Sequence, residues 1–186
     1  MISYTKRPLT TLELQHLLAV EVGEAGLDDQ NISERLTIIP FCARLAIVDE
    51  ESDIISLIHY ATQEYFERTR MQWFPSAEKD ITEACIAYLS FHTFSRVCST
   101  HEDFETRLAV NTAYNYAAIY RGHHALAAAL DVGDVILSFL QKEAQVSAYG
   151  QVLLMKDDQE TFFIEEGFLQ LLTVAHLAAY FGLRRV

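Results

Sequence analysis

The stretch Leu45-Ala46-Ile47-Val48-Asp49-Glu50-Glu51-Ser52-Asp53-Ile54-Ile55-Ser56-Leu57-Ile58 decides how this chain is read. Two β-branched runs flank a polar, acidic segment, so the pattern predicts a two-stranded hairpin over residues 44–58 with carboxylates at its tip. A hairpin alone is marginal in water and must lean on helices, here through Ile47, Ile55 and Leu57 or their neighbours. It is the only β-structure expected. A helix should follow, with Ile58, Ala61, Tyr65 and Phe66 as its inner stripe.

Toward the N-terminus, Thr10 and Glu13 have capping-box spacing ahead of the apolar residues Leu14, Leu17 and Leu18, which predicts a short helix. Gly23 and Gly26 mark its end and a loop. Asn31 with Glu34 repeats the start signal, and Leu36, Ile38 and Ile39 suggest a second short helix that Pro40 bends or ends. Helix, helix, hairpin, helix is the layout of a small winged-helix unit.

Toward the C-terminus the pattern turns helical after Trp73-Phe74-Pro75. Ile81, Cys85, Tyr88, Leu89 and His92 recur at helical spacing, and Ile86 and Phe91 widen the stripe, as in a helix covered on several sides. Further helices are expected near 102–110, 113–130, 132–142 and 145–155, with Asp131 as N-cap for the stripe Val132, Ile136, Phe139 and Leu140. Asp157-Asp158-Gln159-Glu160 marks a boundary before the last segment. The uncharged run from Gly167 to Leu183 approaches membrane-span length, but Gln170, Thr173 and His176 interrupt it, so it reads as a buried helix. The expected fold is mainly α with one small hairpin, divided into 1–75, 76–160 and 161–186.

Composition narrows the function. Hydrophobic residues make up 51% of the 186 and charged residues 22%, a globular mixture. A net charge of −12 repels phosphate backbones and anionic membrane surfaces, so no nucleic acid and no membrane partner is expected. The predicted hairpin tip carries Asp49, Glu50, Glu51 and Asp53, and the helix before it offers only Arg35 beside Glu34, which argues against groove binding. Cys42, Cys85 and Cys98 are an odd, widely spaced set, which suits buried thiols in a reducing compartment. The N-terminal residues have no apolar core of a signal peptide, and the cytosol (a cytoplasmic setting) is expected.

Catalytic motifs are missing. None of the seven Gly precedes a Lys, so no P-loop can form, and no Gly-x-Ser-x-Gly elbow is present. No enzyme activity, cofactor or metal is expected of the chain by itself. Cys85, His92 and Cys98 match no common zinc spacing, and His123 and His124, being adjacent, point to different helix faces.

Three segments carry a resemblance. Leu9-Thr10-Thr11-Leu12-Glu13-Leu14-Gln15, Ile47-Val48-Asp49-Glu50-Glu51-Ser52 and Ile58-His59-Tyr60-Ala61-Thr62-Gln63-Glu64-Tyr65-Phe66 together resemble the winged-helix domain that follows the NACHT nucleotide-binding module in many fungal proteins. That domain is named after a GPI inositol-deacylase, an enzyme that shares the module, and the name confers no deacylase activity. Tyr114-Asn115-Tyr116-Ala117-Ala118 and Gly122-His123-His124-Ala125 look like the helical connector of those proteins. Thr173-Val174-Ala175-His176-Leu177-Ala178-Ala179-Tyr180-Phe181-Gly182 is similar to the ankyrin signature T-P-L-H-x-A-A-x-x-G, with Val174 and Ala175 departing from it.

The resemblance implies a non-catalytic regulatory and connecting module of a NACHT–ankyrin signalling protein, coupling a nucleotide switch to a repeat sensor. Residues 1–75 would be the winged helix, 76–160 the connector and 161–186 the truncated start of an ankyrin repeat, so that the chain reads as a fragment. Implied partners are a NACHT-type nucleotide-binding module and further ankyrin repeats. In related switches a His placed like His59 reaches the β-phosphate of ADP, so His59 would touch nucleotide only when a separate module supplies it. The other reading of His59 is a helix-start residue packed under the hairpin. Thr173, His176, Leu177, Ala178, Ala179 and Gly182 would carry the ankyrin turn, with His176 bonding backbone. A rival reading is a stand-alone acidic helical adaptor that binds protein partners without nucleotide dependence. A hydrolase has no motif behind it.

Overall fold

Leu9 and Thr10 sit just before the first helix, and in a computed structural model of the chain they are not helical but form a strand, β1. The structure describes residues 1–33, 42, 45–128 and 132–155. β2 (Ala46–Val48) and β3 (Ile54–Leu57) make the predicted antiparallel hairpin, with Val48 opposite Ile55. β1 adds to the other edge of β3, pairing Leu9 with Ile55 and Thr10 with Ile54. The expectation that residues 44–58 hold all the β-structure is therefore corrected. Two residues are too few to show an alternating pattern, and Leu9 is drawn into the sheet because its side chain is buried there.

Helix α1 (Thr11–Leu18) starts from the predicted capping box: Thr10 Oγ1 accepts from Glu13 N–H, and Glu13 Oε2 accepts from Thr10 N–H at 2.9 Å. Gly23 follows in the loop at φ +100°, a conformation that disfavours side chains. Asn31 closes a short 3₁₀ turn, Asp29–Asn31. The second helix expected around Leu36, Ile38 and Ile39, with Arg35 and Pro40, lies outside the described residues, as does Asp131.

The hairpin leans on the rest through Ala46 and Ile55, both buried, while Ile47 is exposed and Leu57 half-buried. Ala46, the neighbour of Ile47, takes the inward place, because alternation turns the Ile47 side chain to the open face. The hairpin tip is tied down locally. Ser52 Oγ donates to Asp49 Oδ2 at 2.6 Å, and the Asp53 carbonyl accepts from Thr11 N–H at 2.9 Å, joining tip to helix start.

Six further helices follow among the described residues: α2 (Tyr60–Trp73), α3 (Ala77–Leu89), α4 (His101–Val110), α5 (Ala113–Ala128), α6 (Gly133–Leu140) and α7 (Glu143–Met155). The mainly helical fold with a small sheet is what the structure shows. α3 and α5 form its most extensive packing contact. Ala113, Ala117, Ala118 and Ala125 let the two backbones approach, and Ile81, Cys85, Tyr88 and Leu89 fill the seam. The expected stripe on α3 breaks at His92, which is exposed in a 3₁₀ turn because the helix ends at Leu89.

One continuous core runs from Tyr4 to Val152 and crosses residue 75. Phe94 stacks on Tyr114 with ring centroids 4.0 Å apart. Gln151 of α7 clasps the Cys98 backbone from both sides, each hydrogen bond 2.9 Å long. Arg121 is buried with its guanidinium over the rings of Phe139 and Tyr149, at 4.8 and 4.5 Å.

Candidate functional site

α2 departs from the sequence expectation. A stripe of Ile58, Ala61, Tyr65 and Phe66 should have faced inward, yet no residue of this helix is buried. Tyr60 is 79% exposed and Met71 66%, with Tyr65, Trp73 and Phe74 also exposed. The physical reason is the charge pattern: Glu64, Glu67, Arg68 and Arg70 are spread round the helix, leaving only a narrow half-buried strip of Thr62, Phe66 and Thr69. That strip seats α2 near β3, and Arg70 of the same helix lies over the Tyr4 ring at 5.4 Å. A helix with three or more large apolar side chains in water is a candidate contact surface.

His59 sits at the N-cap of α2. Its side chain is exposed and makes no cap bond, and its carbonyl accepts from Thr62 and Gln63 N–H at 2.9 and 3.1 Å. An imidazole there stands beside the unfilled N–H groups of a helix start, an arrangement that suits an anion presented from outside.

Beneath α2 lies a cavity of about 500 Å³, within the size range of small-molecule pockets. Leu14, Leu18, Leu57, Phe66 and Phe74 form its walls, Met1, Ile2 and Ser3 border it, and Ser33 and Cys42 are its other polar lining. Burial pushes the Cys42 thiol up, so the sulfur is a poor nucleophile there. Among the described residues no Asp, Glu, Lys, Arg or His side chain lines this cavity; its titratable groups are the Met1 amine and the Cys42 thiol, and its largely apolar walls suit apolar matter.

Cys85, Cys98, His16 and His124 are engaged within the fold. Cys85 is fully buried and its thiol is pushed up to about 12, chiefly by desolvation. His92 is exposed, and Cys98 is held by Gln151, so the three residues weighed as metal ligands are not brought together. Among the described residues no group of three or more His, Cys, Asp or Glu is placed to hold a metal ion. His123 and His124 lie on different faces of α5: His123 is exposed, while His124 is fully buried and bonded to Glu78 and Tyr116. His16 Nδ1 lies 2.8 Å from the Tyr88 hydroxyl, and burial lowers its affinity for a proton. Among the described residues no helix is long and apolar enough to cross a membrane.

The hairpin tip keeps its charge. Asp49 is held below the ordinary carboxylate value, first by the Ser52 hydroxyl and then by backbone N–H groups, and Glu50 and Glu51 stand exposed beside it. A duplex phosphate brought to this tip meets carboxylates only.

Thr173, His176, Leu177, Ala178, Ala179 and Gly182, named for an ankyrin turn, lie outside the described residues. Two features escaped the sequence reading. The exposure of α2 had a signal in its dispersed charges. The hydrogen-bonded set of Lys6, Glu78, Tyr116 and His124 had none, since Lys6 and Glu78 are far in the chain from the other two and from each other. Compared with known proteins, the chain matches no family model, no curated protein and no solved structure.

Proposed function

We propose that this chain is a non-catalytic regulatory module that docks a protein partner through α2. The observation that carries the reading is a fourteen-residue helix with no buried side chain but with Tyr60, Tyr65, Met71 and Trp73 in solvent, followed by exposed Phe74. Aromatic and Met side chains are the groups that supply most interface energy when a partner covers them. The winged-helix and connector resemblance suggests which partner: a NACHT-type nucleotide-binding module, with His59 donating to a bound diphosphate from the start of the same helix. In that role the module couples nucleotide state to whatever follows residue 160, and cytoplasmic placement fits it. The adaptor reading uses the same helix face but requires no nucleotide.

The test is calorimetric titration of the chain with a purified NACHT-type module in its ADP-loaded and ATP-loaded forms. The expected outcome is preference for the ADP-loaded form, weakened about tenfold or more by the double change Met71→Ser and Trp73→Ala. His59→Ala should weaken binding to the ADP form alone, by about 0.5–3 kcal/mol for one hydrogen bond. Equal affinity for both nucleotide states favours the adaptor, and indifference to the double change removes α2 as the docking face.

A further inference from the structure

Four side chains and one backbone amide form a closed hydrogen-bond circuit that begins and ends on Lys6. Lys6 N–H donates to the Tyr116 hydroxyl at 3.3 Å. Tyr116 O–H faces His124 Nε2 at 2.8 Å, and His124 Nδ1 faces Glu78 Oε2 at 2.5 Å. Lys6 Nζ closes the ring on Glu78 Oε1 at 3.1 Å. A neutral imidazole satisfies every member in one direction only: the carboxylate can accept but not donate, so Nδ1 carries the proton, Nε2 accepts, and Tyr116 donates to it.

Charge bookkeeping points the same way. Glu78 balances Lys6, and Glu13 balances Arg7 through a two-pronged contact, 2.8 Å at Nη1 and 2.5 Å at Nη2. The Arg7 guanidinium also lies 5.2 Å from the Tyr116 ring centre and 5.9 Å from that of Tyr120. His123 stands beside His124 on α5, and the neutral Cys85 thiol lies near Tyr116 among the described titratable groups facing the cluster. A second proton on His124, whose side chain is fully buried, would add an uncompensated cation. It would also set Nε2–H against Tyr116 O–H, donor to donor.

We propose that this circuit is an acid-operated latch: protonation of His124 releases the Lys6-anchored N-terminal segment, residues 1–8, from α3 and α5. The same segment donates from the Tyr4 hydroxyl to the Phe74 carbonyl at 2.8 Å and borders the apolar cavity through Met1, Ile2 and Ser3. Its release uncovers that cavity beside α2. The latch does not depend on the proposed partner. Desolvation, opposed by Glu78, holds the His124 affinity for protons below the ordinary imidazole value of 6.5. The latch is therefore shut above that value and opens as pH falls through the lowered one.

The test follows the His124 ring by NMR from about pH 7.5 to about pH 5, with amide hydrogen-exchange protection of Ile2–Arg7 and of Leu89 as a core reference. Expected is a loss of protection at Ile2–Arg7, about tenfold per unit of pKa separation, with the midpoint of the His124 titration, while Leu89 keeps its protection. His124→Gln should make Ile2–Arg7 protection independent of pH across this range. Lys6→Met removes the competing cation at an exposed position, so it keeps the test alive if His124→Gln fails to fold; it should move the His124 midpoint upward. The latch is overturned if Ile2–Arg7 protection is flat with pH in the parent, if Leu89 loses protection in parallel, or if Lys6→Met leaves the midpoint in place.

Discussion

α2 and α3 are neighbours of nearly equal length and share a rich supply of aromatic and aliphatic residues, yet one buries none of its side chains and the other buries most of a face. α3 keeps Lys79, Asp80 and Glu83 near its start and to one side and engages Glu78 with His124 of α5, so Ile81, Cys85, Tyr88 and Leu89 are left to make an apolar seam. It also meets α5, whose alanines permit close approach. α2 interleaves its charges with Tyr60, Tyr65, Phe66 and Met71. Apolar content alone does not decide burial; the angular gap between charges and the shape of the facing element do.

The sharpest way to break this contrast is at the α3–α5 side. Phe94→Ala removes the ring stacked on Tyr114 and should destabilise the chain by about 3–5 kcal/mol in urea unfolding. A loss near zero would mean that the buried half is not what holds the molecule together. Next in size, Thr10→Ala should cost about 0.5–2 kcal/mol by removing one arm of the capping box at α1. On the α2 side, Met71→Ser and Trp73→Ala should each change stability by no more than about 0.5 kcal/mol. A larger loss would show that α2 supports the fold rather than standing ready for a partner.

The smallest effect sharpens the picture at the hairpin tip. Ser52→Ala removes the main hydrogen bond that lowers Asp49, so its NMR titration should move back up toward 3.8. The sign follows: a carboxylate held below its ordinary value favours the fold above that value and loses this as pH falls through the lowered one. The variant should narrow that acid window without changing neutral-pH behaviour.

How much of this was legible in the sequence follows the distance between the residues involved. The capping box of Thr10 and Glu13, the hairpin with its acidic tip and the helix starts near 101, 113, 133 and 143 are local signals, and they read correctly to within a few residues. β1 did not, because Leu9-Thr10 is too short to alternate and gains its identity from β3, far along the chain. The inner face assigned to α2 rested on apolar spacing that its scattered charges overrode. His59 could be placed at a strand-to-helix junction from sequence, but not its exposure. Lys6, Glu78, Tyr116 and His124 carry no mutual signal at all, since three separate elements bring them together.

The Lys6 circuit has a temporal consequence. During synthesis Lys6 leaves the ribosome well before its partners Tyr116 and His124, which lie 110 and 118 residues further along. At roughly 5–20 residues per second, this segment waits on the order of 6–24 s before its anchor exists. β1, drawn toward β3 much sooner, holds the waiting segment near the young sheet, with Met1 and Ile2 still unclaimed. A chaperone that recognises exposed apolar segments therefore has a long interval in which to compete before α5 arrives.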